Sequence, residues 1–260
     1  MKKPFLLVAN LKMNLLSRDE VKQYLQVLHR EAEGKKITQS EVIMCPPSLW
    51  LNEFNHLPES FYKGAQNVFW EKSGSYTGEI SPVMLKNDGV EYVLIGHSER
   101  RLYALETDDI VRTKTHSALK NLLTPIVCIG ESEEERRRGM THSALEIQLE
   151  SIFSGLSKLQ AEKVIIAYEP RWAIGSDRTP TTEEIQEVKN LIQSFLTKLL
   201  DESTAERMRV LYGGSVKSAY LGAVSWEAGM DGVLVGRESL FPYEIVKMLG
   251  LYEQYQLAIS

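Results

Sequence analysis

Cysteine is scarce in this chain: Cys45 and Cys128 are the only two among 260 residues. Each lies in or at the end of an apolar strand-like run, and neither belongs to a pair spaced for metal or redox work. A disulfide scaffold and a cysteine-based metal site are therefore excluded, and both thiols are expected to be reduced core residues. Long apolar runs are also missing. Met1-Lys2-Lys3 followed by Phe5 to Ala9 has the beginning of a leader peptide, but the run is short and Asn10 and Lys12 interrupt it, so we read a first strand. With no stretch able to span a bilayer, the expectation is a soluble, cytoplasmic protein with no membrane partner. Positive charge is not in excess: 30 Lys and Arg against 35 Asp and Glu leave a net charge of -5. That balance argues against nucleic acid as a partner while leaving room for a local cationic pocket. Low-complexity segments, short-period repeats and linkers rich in Pro, Gly and Ser are absent too. This length suits one barrel or two smaller domains, and the undivided sequence favours a single domain over 1–260.

What the chain does contain is apolar strand-like runs at Phe5 to Ala9, Glu41 to Cys45, Phe61 to Gln66, Tyr92 to Ile95, Pro125 to Ile129, Val164 to Tyr168, Arg209 to Tyr212 and Gly232 to Val235. Between them lie amphipathic, helix-forming stretches: Arg18 to Glu33, Thr107 to Asn121, His142 to Leu159, Thr182 to Leu200 and Val216 to Ala223. Alternation of strand and helix implies parallel pairing. Eight such units predict an α/β fold of the closed (β/α)₈ type; an open doubly wound sheet would more often carry G-x-G-x-x-G after its first strand, and none follows here. The charge run Glu131 to Arg138 has acidic residues ahead of basic ones, which suits a solvated helical face, with Glu131 itself placed at the barrel mouth because it directly follows strand five.

Barrel enzymes carry their chemistry where strands end and loops begin, and several strand ends here are polar. Asn10-Leu11-Lys12 follows the first, Gly96-His97-Ser98-Glu99 the fourth, Glu169-Pro170-Arg171-Trp172 the sixth, Gly213-Gly214-Ser215 the seventh and Gly236-Arg237 the eighth. Alone, each has an ordinary reading as a surface charge, a satisfied histidine or a turn. Their shared location makes them a set: a carboxylate, an imidazole, an ammonium, and two Gly-rich loops where barrels bind phosphate through backbone amides. A carboxylate facing an imidazole suits proton abstraction beside a carbonyl, with imidazole and ammonium stabilising the enediolate oxygen. The chemistry indicated is aldose-ketose isomerisation of a small phosphorylated sugar, with no metal or other cofactor required.

The chain resembles the triosephosphate isomerase family in Ala9 to Asn14, Gly64 to Asn67, Tyr76 to Ser81, Ile95 to Arg101, Pro125 to Glu131, Tyr168 to Gly175, Tyr212 to Val216 and Asp231 to Gly236, in family order along nearly the whole chain. The resemblance implies the TIM-barrel fold and a triose phosphate substrate. It also implies Glu169 as base and His97 as neutral electrophile with a pKa lowered by a helix start, roles general to this family rather than read from these residues. Lys12 and Asn10 would contact substrate, amides of Gly175, Ser215, Gly236 and Arg237 would hold the phosphate, and Ser98 and Glu99 would lie close by. Residues 170–180, including Trp172, would form a lid. The loop 66–81 would dock into a second subunit, bringing Thr77 near the neighbour's Lys and Asn, so a homodimer is implied.

Departures from the family pattern fall in the lid and after strand eight. Asp177 stands where a flexible Gly is usual, and Pro180 has no amide hydrogen to offer the hydroxyl of Tyr212. Losing that bond would cost the closed state about 1 kcal/mol, whereas a stiffer hinge would lower the entropic cost of closing. Arg237 replaces a second Gly, with its side chain directed either to solvent or toward the phosphate. Two other functions remain compatible with the sequence: an isomerase of a four-carbon phosphorylated ketose, and a catalytically inactive barrel kept for interactions.

Overall fold

The continuous apolar runs become strands buried on both faces. In a computed structural model, which describes residues 3–173 and 179–259, they close into one parallel barrel. The strands are β1 (Phe5–Asn10), β2 (Ser40–Cys45), β3 (Phe61–Ala65), β4 (Tyr92–Ile95), β5 (Thr124–Ile129), β6 (Ile165–Tyr168), β7 (Arg209–Tyr212) and β8 (Gly232–Val235). They pair in chain order, and Leu6 to Ala9 of β1 lie opposite Gly232 to Val235 of β8 to complete the ring. All eight strands being parallel, their C-terminal ends form one mouth.

Alternation along each strand divides the core in two. Leu6, Val8, Ile43, Leu94, Ile126 and Leu211 belong to a cluster inside the barrel, while Phe5, Leu7, Val42, Val93 and Val210 pack outward beneath the helices. Cys45 and Cys128 are buried and free in the inner cluster, and burial raises both thiols above the ordinary cysteine value. The outer helices follow their amphipathic patterns. In the helix Arg18–Ala32, Ser17 caps the start by accepting the Glu20 N–H, and Val21, Tyr24 and Leu28 face the core. The helix expected over 142–159 instead runs Thr141–Phe153 and resumes at Lys158–Ala161, because Gly155 turns the chain at φ 82° and Ser157 and Gln160 cap a new start. The stretch 216–223 is a 3₁₀ turn, Ser218–Tyr220, followed by the single turn Leu221–Val224. No helix among the described residues is long and apolar enough to cross a membrane.

Candidate active site

Glu169 immediately follows β6, is buried, and has both carboxylate oxygens engaged. Oε1 lies 3.0 Å from His97 Nε2, and Oε2 accepts the Ser98 N–H at 2.8 Å. Room for the Glu169 side chain comes from Gly213, where a Cβ would stand 2.9 Å from Glu169 Cγ. His97 precedes the six-residue helix Ser98–Tyr103, and its Nδ1 accepts the Glu99 N–H at 3.3 Å. That bond occupies the Nδ1 lone pair, so the single proton of a neutral ring sits on Nε2, aimed at Glu169.

Burial pulls the His97 pKa down, but the charge and hydrogen bond of Glu169 outweigh it and leave it raised above the ordinary histidine value. Burial pushes Glu169 upward; His97, by charge and hydrogen bond, and the Ser98 N–H outweigh it and leave Glu169 lowered. The lowering expected for His97 from its helix start is therefore not the net result. A partial dipole charge on a short helix is weaker than a full carboxylate 3.0 Å away.

Lys12 lies across the mouth from this pair, in the left-handed region at φ 51°. Asn10, buried at the end of β1, holds it there by accepting the Lys12 N–H at 3.0 Å, and Gln66 Nε2 donates to the Lys12 carbonyl at 2.9 Å. Lys12 Nζ donates to Glu99 Oε1 at 2.7 Å. Gln66 was missed as a site residue; its position at the end of β3 was the available signal.

A cavity of about 510 Å³ joins these groups to the loops after β7 and β8, with Ser215, Gly236 and Arg237 on its wall. Gly236 lies beneath Lys12, where a Cβ would come within 3.1 Å of Lys12 Cε. Arg237 opens the 3₁₀ turn Arg237–Leu240 outside the left-handed region, so its side chain is sterically allowed. That side chain is exposed and makes no ion pair among the described residues. Tyr212, at the end of β7, is fully buried, and its hydroxyl lacks a hydrogen-bond partner among the described residues. Gly175 and Asp177 lie outside the described residues.

Glu131 is fully buried behind the segment that follows Glu169; Oε1 accepts from Tyr168 Oη at 3.1 Å and from Trp172 Nε1 at 2.8 Å. The neighbouring charge run forms the short helix Glu133–Arg137 with no buried residue, as expected of a solvated face. Glu133, Glu134, Arg137 and Arg138 are exposed and Glu134 pairs with Arg138, while half-buried Glu135 meets Arg171 and Arg136 meets Glu184. Thr77 lies in the exposed stretch 71–79 and does not line the cavity of its own chain. The aromatics of that loop have partners within the chain: Phe69 stacks on Trp70 at 4.0 Å between ring centroids and packs against Tyr76 at 4.7 Å.

The family model described as Triosephosphate isomerase matches residues 5–251. A triosephosphate isomerase of Caldanaerobacter subterraneus subsp. tengcongensis is 40% identical over 251 residues, covering 96% of this chain and 99% of the relative. That of Alkaliphilus oremlandii is 41% identical over the same coverage, and that of Dictyoglomus turgidum 43% identical over 211 residues, covering 80% of this chain and 85% of its own. A match from the first strand through to the last helix, with a closed barrel whose polar strand ends meet at one mouth, places this chain in the triosephosphate isomerase family.

Proposed function

We propose that this protein is a triosephosphate isomerase, interconverting dihydroxyacetone phosphate and D-glyceraldehyde 3-phosphate through an enediolate. The observation that carries the reading is the Glu169–His97 contact of 3.0 Å within a cavity that Lys12 and the loops after β7 and β8 share. Glu169 removes a proton from the carbon beside the carbonyl, exchanging its contacts with His97 and Ser98 for the substrate. His97 donates its Nε2 proton toward the carbonyl oxygen, and the same groups run in reverse at the neighbouring carbon. Lys12 and Asn10 face the developing negative charge. Amides of Ser215, Gly236 and Arg237 hold the phosphate, with Gly175 completing the set as residues 170–180 close and exclude water. Trp172, Glu131, Ser98, Glu99 and Tyr212 support these groups.

The work is done by a single barrel domain in the cytoplasm, serving glycolysis and gluconeogenesis, and by a homodimer. Supporting the dimer, exposed Met13, Leu102, Tyr103 and Leu105 surround or adjoin a cavity of about 290 Å³ beside Lys12 and Glu99, a place for the partner's loop 66–81 with its Thr77. The test is steady-state isomerisation of glyceraldehyde 3-phosphate by the protein and its Glu169→Gln variant, with a four-carbon phosphoketose as competing substrate. Triose turnover that collapses in the variant is expected. Preference for the four-carbon substrate, or no turnover of either, would overturn the assignment.

A further inference from the structure

The charged turn after β5 is built around the strand end that carries the base. Arg171 donates its backbone N–H to the Glu131 carbonyl at 3.2 Å, its Nε to the Gly130 carbonyl at 3.0 Å and its Nη2 to Glu135 Oε2 at 3.1 Å. Trp172 donates to Glu131 Oε1, and the other oxygen of this fully buried carboxylate, Oε2, has no hydrogen-bond partner among the described residues. A carboxylate so placed needs a countercharge. Arg136 supplies it from Nη1, 3.9 Å from Glu131 Oε1.

The same guanidinium lies over the Trp172 ring, 5.0 Å from its centroid, and donates from Nη2 to Glu184 Oε1 at 2.7 Å. Glu184 in turn closes the capping box that starts the helix Thr182–Leu199. One side chain thus touches the segment leaving the base, the buried acid behind it and the first turn of the next helix. A planar guanidinium can lie flat on a ring while its separated nitrogens reach two carboxylates; an ammonium, a single point charge, has no such planar face.

We propose that Arg136 is a positioning residue for the isomerisation: it neutralises Glu131, stacks on Trp172 and anchors Glu184, and so fixes the backbone from which Glu169 reaches the substrate. This rests on the isomerase reading of the site. It adds a residue that touches neither the cavity nor the reacting atoms.

The test compares the full-length enzyme with Arg136→Met, Arg136→Lys, Glu131→Gln and the double variant Glu131→Gln/Arg136→Met, reading kcat, KM, the competitive inhibition constant of inorganic phosphate, and thermal melting. Arg136→Met is expected to lower kcat about tenfold while phosphate inhibition stays within about twofold, since misplacing a base costs turnover more than ground-state anion binding. Arg136→Lys restores no more than about threefold of that loss, lacking the planar contact. On the Glu131→Gln background, where no buried charge needs neutralising, the Arg136→Met effect shrinks to about threefold or less. An unchanged kcat in Arg136→Met overturns the proposal, and so does a joint fall in kcat, phosphate affinity and melting temperature, which marks a merely structural role. If Arg136→Met fails to fold, the lysine variant and the double variant carry the same test. A parent enzyme without triose phosphate turnover overturns the isomerase reading itself, a result distinct from an active parent indifferent to Arg136.

Discussion

Nε2 of His97 and Oε1 of Glu169 meet at 3.0 Å, joining the loops after β4 and β6 across the mouth of the barrel. The two groups shift one another in opposite directions, the imidazole raised and the carboxylate lowered, against burial in both cases. Each therefore favours the form the proposed reaction needs in the other: Glu169 ionised, and a proton held on His97 Nε2.

Glu169→Gln removes the charge that raises His97 and leaves the burial that lowers it. His97 should then titrate below the ordinary histidine value instead of above it, a change that imidazole nitrogen chemical shifts followed against pH would detect, and kcat should fall about a thousandfold with the base gone. The stability effect has a defined sign. The lowered Glu169 contributes stability above the ordinary carboxylate value and loses it as pH falls through its folded value. The raised His97 contributes fully below the ordinary histidine value and loses it as pH rises through its folded value. The pair thus stabilises most between those two ordinary values and less on either side, and Glu169→Gln should remove that maximum from the profile of melting temperature against pH. A His97 titration that stays raised in the variant would remove Glu169 as its cause.

Lys12 occupies a backbone region that costs a residue with a Cβ about 1 kcal/mol or more. Asn10 and Gln66 bond its N–H and carbonyl and hold it there, so that its ammonium stays at the mouth. Lys12→Gly relieves the strain but adds freedom to the unfolded chain, so the folded protein should be unchanged or gain up to about 1 kcal/mol. Meanwhile kcat/KM should fall at least a hundredfold, about 3 kcal/mol of lost transition-state stabilisation. Urea unfolding beside steady-state kinetics separates the two. A clear loss of stability would mean the backbone is not strained at Lys12.

How much of this was legible beforehand depended on range. The strands were readable within about a residue because parallel barrel strands are apolar on both faces, as the runs ending at Ile95 and Tyr212 illustrate. Placing Asn10, Lys12, His97 and Glu169 at one mouth then followed from parallelism. Side-chain pairing between distant segments was not legible. Arg136 faces Trp172 and Glu184 rather than its own helical neighbours. Lys114, on the helix Asp108–Lys120, is buried against Glu106 at 2.6 Å and Asn67 at 2.7 Å. No periodicity encodes such partners, and the left-handed turn at Lys12 has no glycine to announce it.

Arg237 lines the end of the cavity proposed to hold the phosphate, while its side chain stays exposed. An exposed cation acts over distance and is screened by salt. Arg237→Gly should leave kcat unchanged and raise KM about threefold at low ionic strength, the difference vanishing at high salt. Unchanged KM at every salt concentration would confine Arg237 to its backbone amide.

Among the described residues the buried hydroxyl of Tyr212 has no hydrogen-bond partner, and Pro180, at the hinge position expected to serve it, has no N–H to donate. An orphaned buried hydroxyl costs about 1–3 kcal/mol of desolvation, so removing it is neutral or favourable. We therefore expect Tyr212→Phe to raise stability by up to about 1 kcal/mol and to leave kcat within about twofold. In Pro180→Ala, which restores a donor at 180, the same Tyr212→Phe change should become costly, about tenfold in kcat, as a hinge bond is gained and then lost. Stopped-flow isomerisation across the four combinations reads this coupling directly. A large loss from Tyr212→Phe in the parent would show that the hydroxyl finds another donor during turnover, and the missing amide would then carry no cost for closure.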